Sequence, residues 1–90
     1  MVYLLVYSNS FGDREELGTF FSECSYIDHW RYDLPNSFYL VSDESAFELG
    51  KHFKQKFPNA RYLLVEITNN RQGWLPKDTW NFIHNYEEEF

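Results

Sequence analysis

The sequence predicts a single α+β domain built on one antiparallel β-sheet. Apolar runs rich in β-branched and aromatic residues at 2–7, 38–41 and 62–67 are typical of strands. Between them lie two segments whose apolar residues recur with the period of a helix. Ninety residues, 21% of them aromatic, suffice for one compact core but not for two.

The first strand and the first helix are predicted from 2 to 24. The run VYLLVY at 2–7 has no polar interruption, which suits a strand in the middle of a sheet. Residues 9–12 supply turn chemistry, and Asp13 with Glu16 three residues later forms a capping box at a helix start. The apolar face of this helix consists of Leu17, Phe20, Phe21 and Cys24.

A hairpin is predicted to follow. Aromatic and polar residues mix without helical period at 26–32, residues 34–36 (Leu-Pro-Asn) make a turn, and FYLV at 38–41 is a second apolar strand. Because the two segments are joined by a short turn, we expect them to pair antiparallel.

The second helix and the last strand complete the predicted pattern. Ser45 and Glu48 have capping-box spacing, and the helix is expected to end at Pro58. Its apolar side is formed by Ala46, Leu49, Phe53 and Phe57. The run YLLVEI at 62–67 is the fourth strand.

The order strand, helix, strand, strand, helix, strand is the split βαβ or ferredoxin-like plan. Right-handed crossovers then give an antiparallel sheet of order 4-1-3-2 with both helices on one face. Pro76 suits the first turn of a short C-terminal helix that carries Trp80 and Ile83 on one side. We therefore expect one domain over 1–86, including this helical strap, and an acidic tail at 87–90.

Composition limits the classes of function. The net charge of −6 gives no general attraction to nucleic-acid phosphates, so nucleic-acid binding would need a local basic patch. The single cysteine, Cys24, excludes an intramolecular disulfide and is expected to be a small buried residue. Neither a signal peptide nor a membrane-spanning run is present, so the sequence predicts a soluble cytoplasmic protein without membrane contact.

The fourth strand is predicted to lie at an edge of the sheet. The run at 62–65 contains no lysine, proline or glycine that would discourage pairing with another chain. Either the C-terminal segment or a second copy must cover this edge or the open face of the sheet, and a twofold dimer is the commonest closed solution. The sequence predicts a homodimer with Tyr62, Leu64 and Glu66 at its edge.

No metal site or cofactor is predicted. The three histidines, at 29, 52 and 84, lie on three different elements without a shared ligand spacing. The densest group of possible ligands is Asp28, His29 and Asp33, but neighbours in a strand point to opposite faces.

Nucleophilic catalysis and phosphate cradling are not indicated. Ser8 and Ser10 lack a G-x-S-x-G turn and a nearby histidine, so turn residues bonded to the local backbone are the simpler interpretation. The four glycines, at 12, 18, 50 and 73, are too scattered for a phosphate-binding loop.

Two segments carry candidate binding residues. In KHFKQK, Lys51 and Lys54 are expected on the solvated face of the second helix, or in a phosphate-contacting surface if a dimer joins two such patches. The segment NNRQGWLPKDTW at 69–80 combines amide, guanidinium and indole groups in a loop. Its tryptophans are expected to pack as a strap over the bare sheet face, leaving its polar side chains outward. The binding candidates here are Asn70, Arg71, Gln72 and Trp74.

The pattern resembles a known group of proteins. The first strand ending V-Y-S, the strand Y-L-L-V-E-I and the ending W-L-P-K-x-x-W are similar to those of the small SinR-family hypothetical proteins of prokaryotes. More distantly, the chain resembles the CRISPR-adaptation family called Cas-two and the VapD toxins. The resemblance covers most of residues 2–83.

The resemblance implies a homodimer, and it raises the question of metal-dependent nuclease activity. In the Cas-two and VapD relatives, an aspartate at the end of the first strand is tied to RNA or DNA cleavage, with Mg²⁺ held between two protomers. Ser8, or Tyr7 if the register slips by one, occupies that position here. Neither is an anionic ligand, and capping accounts for Asp13.

Three functional hypotheses follow. The leading one is a homodimeric binding or assembly module without a catalytic centre. The alternative is a metal-dependent endoribonuclease of the VapD or Cas-two type that uses another carboxylate, such as Asp13 or Asp43, with Mg²⁺. A third is a small protein that regulates a protein partner, for example one half of a toxin and antitoxin pair.

Overall fold

The computed structural model describes residues 1–87, and the predicted order of elements is confirmed in it. The predicted acidic tail lies, beyond Glu87, outside the described residues. The strands are β1 (Val2–Tyr7), β2 (His29–Arg31), β3 (Ser37–Val41) and β4 (Tyr62–Glu66). The helices are α1 (Arg14–Glu23), α2 (Ala46–Lys56) and α3 (Lys77–Tyr86).

The four strands form one antiparallel sheet of order β2-β3-β1-β4, as the sequence predicts. Each pairing is antiparallel, with β1 between β3 and β4. The molecule therefore has the ferredoxin-like α+β fold. The second strand is shorter than the predicted segment at 26–32, because only three residues pair with β3.

The hydrophobic core lies between the sheet and the layer formed by α1 and α2. Alternate residues of β1, Tyr3, Leu5 and Tyr7, are buried on this side. The helices contribute the residues that their periodicity predicts, with Leu17 and Phe21 of α1 and Leu49 and Phe53 of α2 all buried. This clustering of the aromatic residues gives a small domain a dense interior.

Phe11 belongs to the core although the sequence places it in a turn. Its side chain is buried, and its ring lies 4.9 Å from that of Phe57, 5.3 Å from that of Tyr62 and 5.5 Å from that of Phe53. The turn after β1 therefore folds back over the end of α2. Turn composition indicated the change of chain direction but not this inward side chain.

The starts of α1 and α2 are capped at the predicted residues. Asp13 accepts from the backbone amide of Glu16 at 2.8 Å, and the Glu16 carboxylate accepts from the amide of Asp13 at 3.2 Å, which completes the capping box. Ser45 caps α2 by accepting from the Glu48 amide at 3.2 Å. The Glu48 carboxylate lies 3.6 Å from the Lys51 ammonium group, so it does not complete the second predicted box.

The third helix packs on the opposite face of the sheet, over β2 and β3. Arg31 of β2 donates to the Thr79 hydroxyl at 3.1 Å, and the rings of His29 and Tyr86 stack 4.3 Å apart. Both α3 residues lie on the side of the helix that also buries Ile83. On the other half of this face, over β1 and β4, the side chains of Val6, Leu63 and Val65 remain exposed.

Candidate interaction surface

The backbone of β4 presents a free edge in the part of the chain that the structure describes. The Ser8 amide donates to the Arg61 carbonyl at 3.0 Å, and the Ile67 amide donates to the Val2 carbonyl at 2.8 Å. Because inward and outward groups alternate along an antiparallel strand, the odd-numbered residues of β4 face β1. The amides and carbonyls of Tyr62, Leu64 and Glu66 therefore point away from β1.

The side chains of Tyr62, Leu64 and Glu66 lie on the helix side of the sheet. Tyr62 and Leu64 pack against the core on the helix side of the sheet, while Glu66 is exposed. Their contribution to the edge is consequently made by the backbone. The structure thus places the predicted edge residues on a sheet edge and leaves their role in a dimer a prediction.

Beside the edge lies an apolar patch that we call the open sheet face, formed by Val6, Leu63 and Val65. The strand register sets Val6 directly beside Leu63, and Val65 beside Leu4. The exposed fractions are 45% for Val6, 62% for Leu63 and 41% for Val65. Sequence reasoning singled out none of the three, although the continuous apolar runs of β1 and β4 are the signal that both faces carry apolar residues.

The segment between β4 and α3 forms the border of the open sheet face. The prediction that Trp74 packs over the sheet is wrong, because its side chain is 88% exposed. It borders a cavity of about 260 Å³ that also touches Leu4, Leu34, Trp80 and Ile83. Trp80 is the half-buried tryptophan of the segment, so the expected strap is fixed at its helical end.

Arg71 is held within the chain, whereas the sequence predicted that it points outward. Its guanidinium donates to both carboxylate oxygens of Glu87, with 3.2 Å between Nη2 and Oε1, and to the Thr68 carbonyl at 3.2 Å. It also lies 5.7 Å from the Trp80 ring centre. The hydrogen bonds between the two groups, helped by their opposite charges, raise the pKa of Arg71 and lower that of Glu87. These contacts indicate that Arg71 stabilises the loop after β4.

The other predicted binding residues are exposed and do not converge. Asn70 and Gln72 lie on the surface of the same loop. Lys51 and Lys54 lie on α2, on the far side of the core from the open sheet face, and Lys51 pairs with Glu48 and lies 5.0 Å from the Phe47 ring centre. These residues therefore form two separate surfaces.

The serines after β1 act in the turn, as the sequence predicts. The Ser8 and Ser10 hydroxyls lie 2.6 Å apart, and Ser10 accepts from the Arg61 amide at 3.0 Å. This network ties the end of β1 to the start of β4. Ser8 is thus used for local structure.

The two carboxylates suggested for a nuclease lie at opposite ends of the sheet. Asp13 follows the end of β1, whereas Asp43 follows the end of β3, and in the antiparallel register Val41 pairs with Val2 at the start of β1. Among residues 1–87, no group of three acidic, histidine or cysteine side chains is arranged to hold a metal ion. Asp28, His29 and Asp33 accordingly do not form a site.

One cluster of reactive side chains lies between the end of α1 and α2. The Tyr26 and His52 rings stack 3.9 Å apart, and His52 Nε2 lies 3.0 Å from a Glu44 carboxylate oxygen. Burial raises the pKa of the nearby Cys24 thiol and, more strongly, that of the Tyr26 hydroxyl. A nucleophilic cysteine requires the thiolate form, which the burial of Cys24 disfavours.

Comparison with family models, with curated proteins and with solved structures finds no match to this chain. Over residues 1–87, no helix is long and apolar enough to span a bilayer. The surface features described above are therefore the basis for a functional proposal.

Proposed function

We propose that this protein is a homodimeric assembly module whose two copies join through the β4 edge. The observation that carries the proposal is the coincidence of a free strand edge with the adjoining open sheet face of Val6, Leu63 and Val65. The outward amides and carbonyls of β4 fit an extended strand, and the neighbouring side chains fit an apolar surface. A second copy supplies both an extended strand, its own β4, and an adjoining apolar surface, its own open sheet face.

The uncharged open sheet face is compatible with a copy of the same chain as the occupant. The three side chains of the open sheet face are uncharged, so two identical patches meet without like-charge repulsion. An acidic molecule of net charge −6 gains little from a phosphate-rich partner. The resemblance to small SinR-family proteins, with their dimeric Cas-two relatives, is in keeping with this proposal.

The proposal includes no catalytic centre. Ser8 and Ser10 stabilise a turn, Asp13 caps α1, and burial of Cys24 disfavours its thiolate form. Ser8, Ser10 and Asp13, three of the residues that sequence reasoning considered for chemistry, thus have structural tasks. Assembly is the function that the remaining surface supports best.

Sedimentation equilibrium at micromolar concentration tests the proposal. We expect the unmodified chain to have the mass of a dimer. Glu66→Pro removes one outward amide while preserving the bonds from β4 to β1, and it should weaken the dimer about tenfold or more, since each of the two copies loses a hydrogen bond worth about 1 kcal/mol.

Phe47→Ala is the matched control, because Phe47 is 72% exposed on α2 and belongs neither to β4 nor to the open sheet face. Circular dichroism should show that both variants keep the native fold. If Glu66→Pro unfolds, Leu63→Arg replaces it, since that exposed side chain carries no core packing. A monomeric unmodified chain would contradict the proposed function.

A further inference from the structure

Resting on the proposed homodimer, we infer that the two β4 strands pair antiparallel in one register, with each Leu64 opposite its counterpart on the twofold axis. The result is a continuous eight-stranded sheet. In this register, Tyr62 lies opposite Glu66 of the second copy, and Leu63 lies opposite Val65 of the second copy. The inference follows from the outward backbone groups, the side-chain polarity and the charges of β4.

Backbone geometry restricts the possible registers. Hydrogen bonds form across an antiparallel pair only where outward amides and carbonyls face outward partners. Tyr62, Leu64 and Glu66 are the outward residues of β4. Centring on Leu64 pairs all three with outward residues of the second copy, whereas a centre one residue away in either direction leaves one of the three without a partner within the strand.

The exposed side chains favour the same register. On the open sheet face, Leu63 and Val65 of the two copies lie directly opposite each other as a non-hydrogen-bonded pair, where side chains approach closely. Within each copy, Leu63 also lies beside Val6 and Val65 beside Leu4, so the row of apolar side chains continues into β1. Centring on Leu63 instead would set Val65 opposite the charged Arg61, so a branched apolar side chain would lose its apolar neighbour.

Charge excludes a larger shift in the other direction. A register centred on Glu66 places two carboxylates directly opposite each other, which is destabilising. Centring on Leu64 sets each Glu66 opposite the uncharged Tyr62 of the second copy. Hydrogen bonding thus selects the centre on Leu64 over both neighbouring centres, and polarity and charge disfavour the centres on Leu63 and Glu66.

Disulfide cross-linking between different copies measures the register. In a Cys24→Ala background, Leu63→Cys and Val65→Cys proteins are prepared separately and then mixed under mild oxidation. The inferred register brings residue 63 of one copy to about 4.5 Å, between Cα atoms, from residue 65 of the other. This distance lies within the range of about 4.4–6.8 Å that a disulfide spans.

We expect the mixture to form a covalent dimer that contains one copy of each variant, and each variant alone to cross-link at least tenfold more slowly. In the inferred register the two copies of residue 63 are offset by two positions along the paired strands, which separates their Cα atoms by about 8 Å. Phe47→Cys, exposed on α2, is the control for random collision and should cross-link slowly in every mixture.

Each other outcome overturns the inference in a recognisable way. Rapid cross-linking of Leu63→Cys alone indicates the register centred on Leu63, and rapid cross-linking of Val65→Cys alone indicates that centred on Val65. A dimer by sedimentation that cross-links in none of these combinations rejects edge pairing and retains self-association. A monomer by sedimentation rejects the proposed function itself.

Discussion

Arg71 and Glu87 form a two-bond ion pair that ties the loop after β4 to the end of α3. Both side chains are mostly withdrawn from solvent, with exposed fractions of 22% and 19%. The pair joins two segments that are 16 residues apart in the sequence. The pair therefore fixes the end of α3 to the loop after β4, and it is not a contact between neighbouring turns of one helix.

This ion pair predicts a specific dependence of stability on pH. The Arg71 guanidinium lowers the pKa of Glu87 below its ordinary value, so the pair stabilises the fold above the ordinary carboxyl pKa. The stabilisation is lost as the pH falls through the lowered pKa of the folded state. We expect Glu87→Gln to lower the free energy of unfolding by about 1 kcal/mol at neutral pH and by progressively less below pH of about 4.

Urea unfolding of the two proteins across this pH range makes the comparison. Glu48→Gln is the control, because the contact of Glu48 with Lys51 is much more exposed. A difference between Glu87→Gln and the unmodified chain that stays constant into acid would show that the Glu87 charge does not contribute.

Gly12 is predicted to be the glycine least tolerant of substitution. Its φ of 149° lies where residues with a side chain are strained, and an added Cβ would lie 2.9 Å from Glu16 Oε1, the atom that accepts from the Asp13 amide. Gly12→Ala should lower the free energy of unfolding by about 1–3 kcal/mol, measured by thermal and urea unfolding.

The matched control for Gly12 is Gly73→Ala. An added Cβ at Gly73 meets no atom within 4 Å, so the change should stay within about 0.5 kcal/mol of zero. Equal losses for the two substitutions would show that neither the strain nor the capping box at Gly12 matters.

Asp13 distinguishes a structural role from a catalytic one. Asp13→Ala removes the acceptor of the Glu16 amide and should cost about 1 kcal/mol, whereas Asp13→Asn keeps an acceptor and should be nearly neutral in stability. We expect single-stranded RNA to remain intact with the unmodified chain in Mg²⁺ or Mn²⁺. Cleavage that disappears in Asp13→Asn while the fold persists would support the nuclease alternative instead.

Phe53 is predicted to be a principal determinant of stability. It is fully buried, and its ring lies 5.5 Å from that of Phe11 and 5.6 Å from that of Tyr62. Phe53→Ala should lower the free energy of unfolding by about 3–5 kcal/mol. Phe47→Ala makes the same chemical change on the exposed side of α2 and should alter stability by less than about 0.5 kcal/mol, so similar losses would contradict this account of the core.

Most of the fold was predictable because local signals and tertiary packing agree. The spacing of Leu49 and Phe53 identifies the buried side of α2, and Asp13 marks the start of α1. Phe11 shows where local signals end, because turn composition does not reveal which turn side chain folds back onto distant rings. The outward path expected for Arg71 was wrong for a related reason, since its carboxylate partner lies on a different segment.

For the candidate surface, the sequence predicts that the backbone of β4 lies at a sheet edge, but it does not predict which side chains are exposed. The position of β4 at an edge follows from the order of strands, so Tyr62, Leu64 and Glu66 could be named from the sequence. Which apolar side chains remain exposed depends on how much of the second sheet face α3 covers. Trp74 illustrates the difficulty, because an indole in a loop can pack inward or project into solvent, and here it projects.

The two edges of the sheet differ in a way that limits the size of any assembly. The opposite edge strand, β2, has three residues, against five in β4. Such a short edge is a poor template for another strand. In the proposed dimer both β4 edges are paired and only the short β2 edges remain, so we expect assembly to stop at two copies and not to continue into fibres.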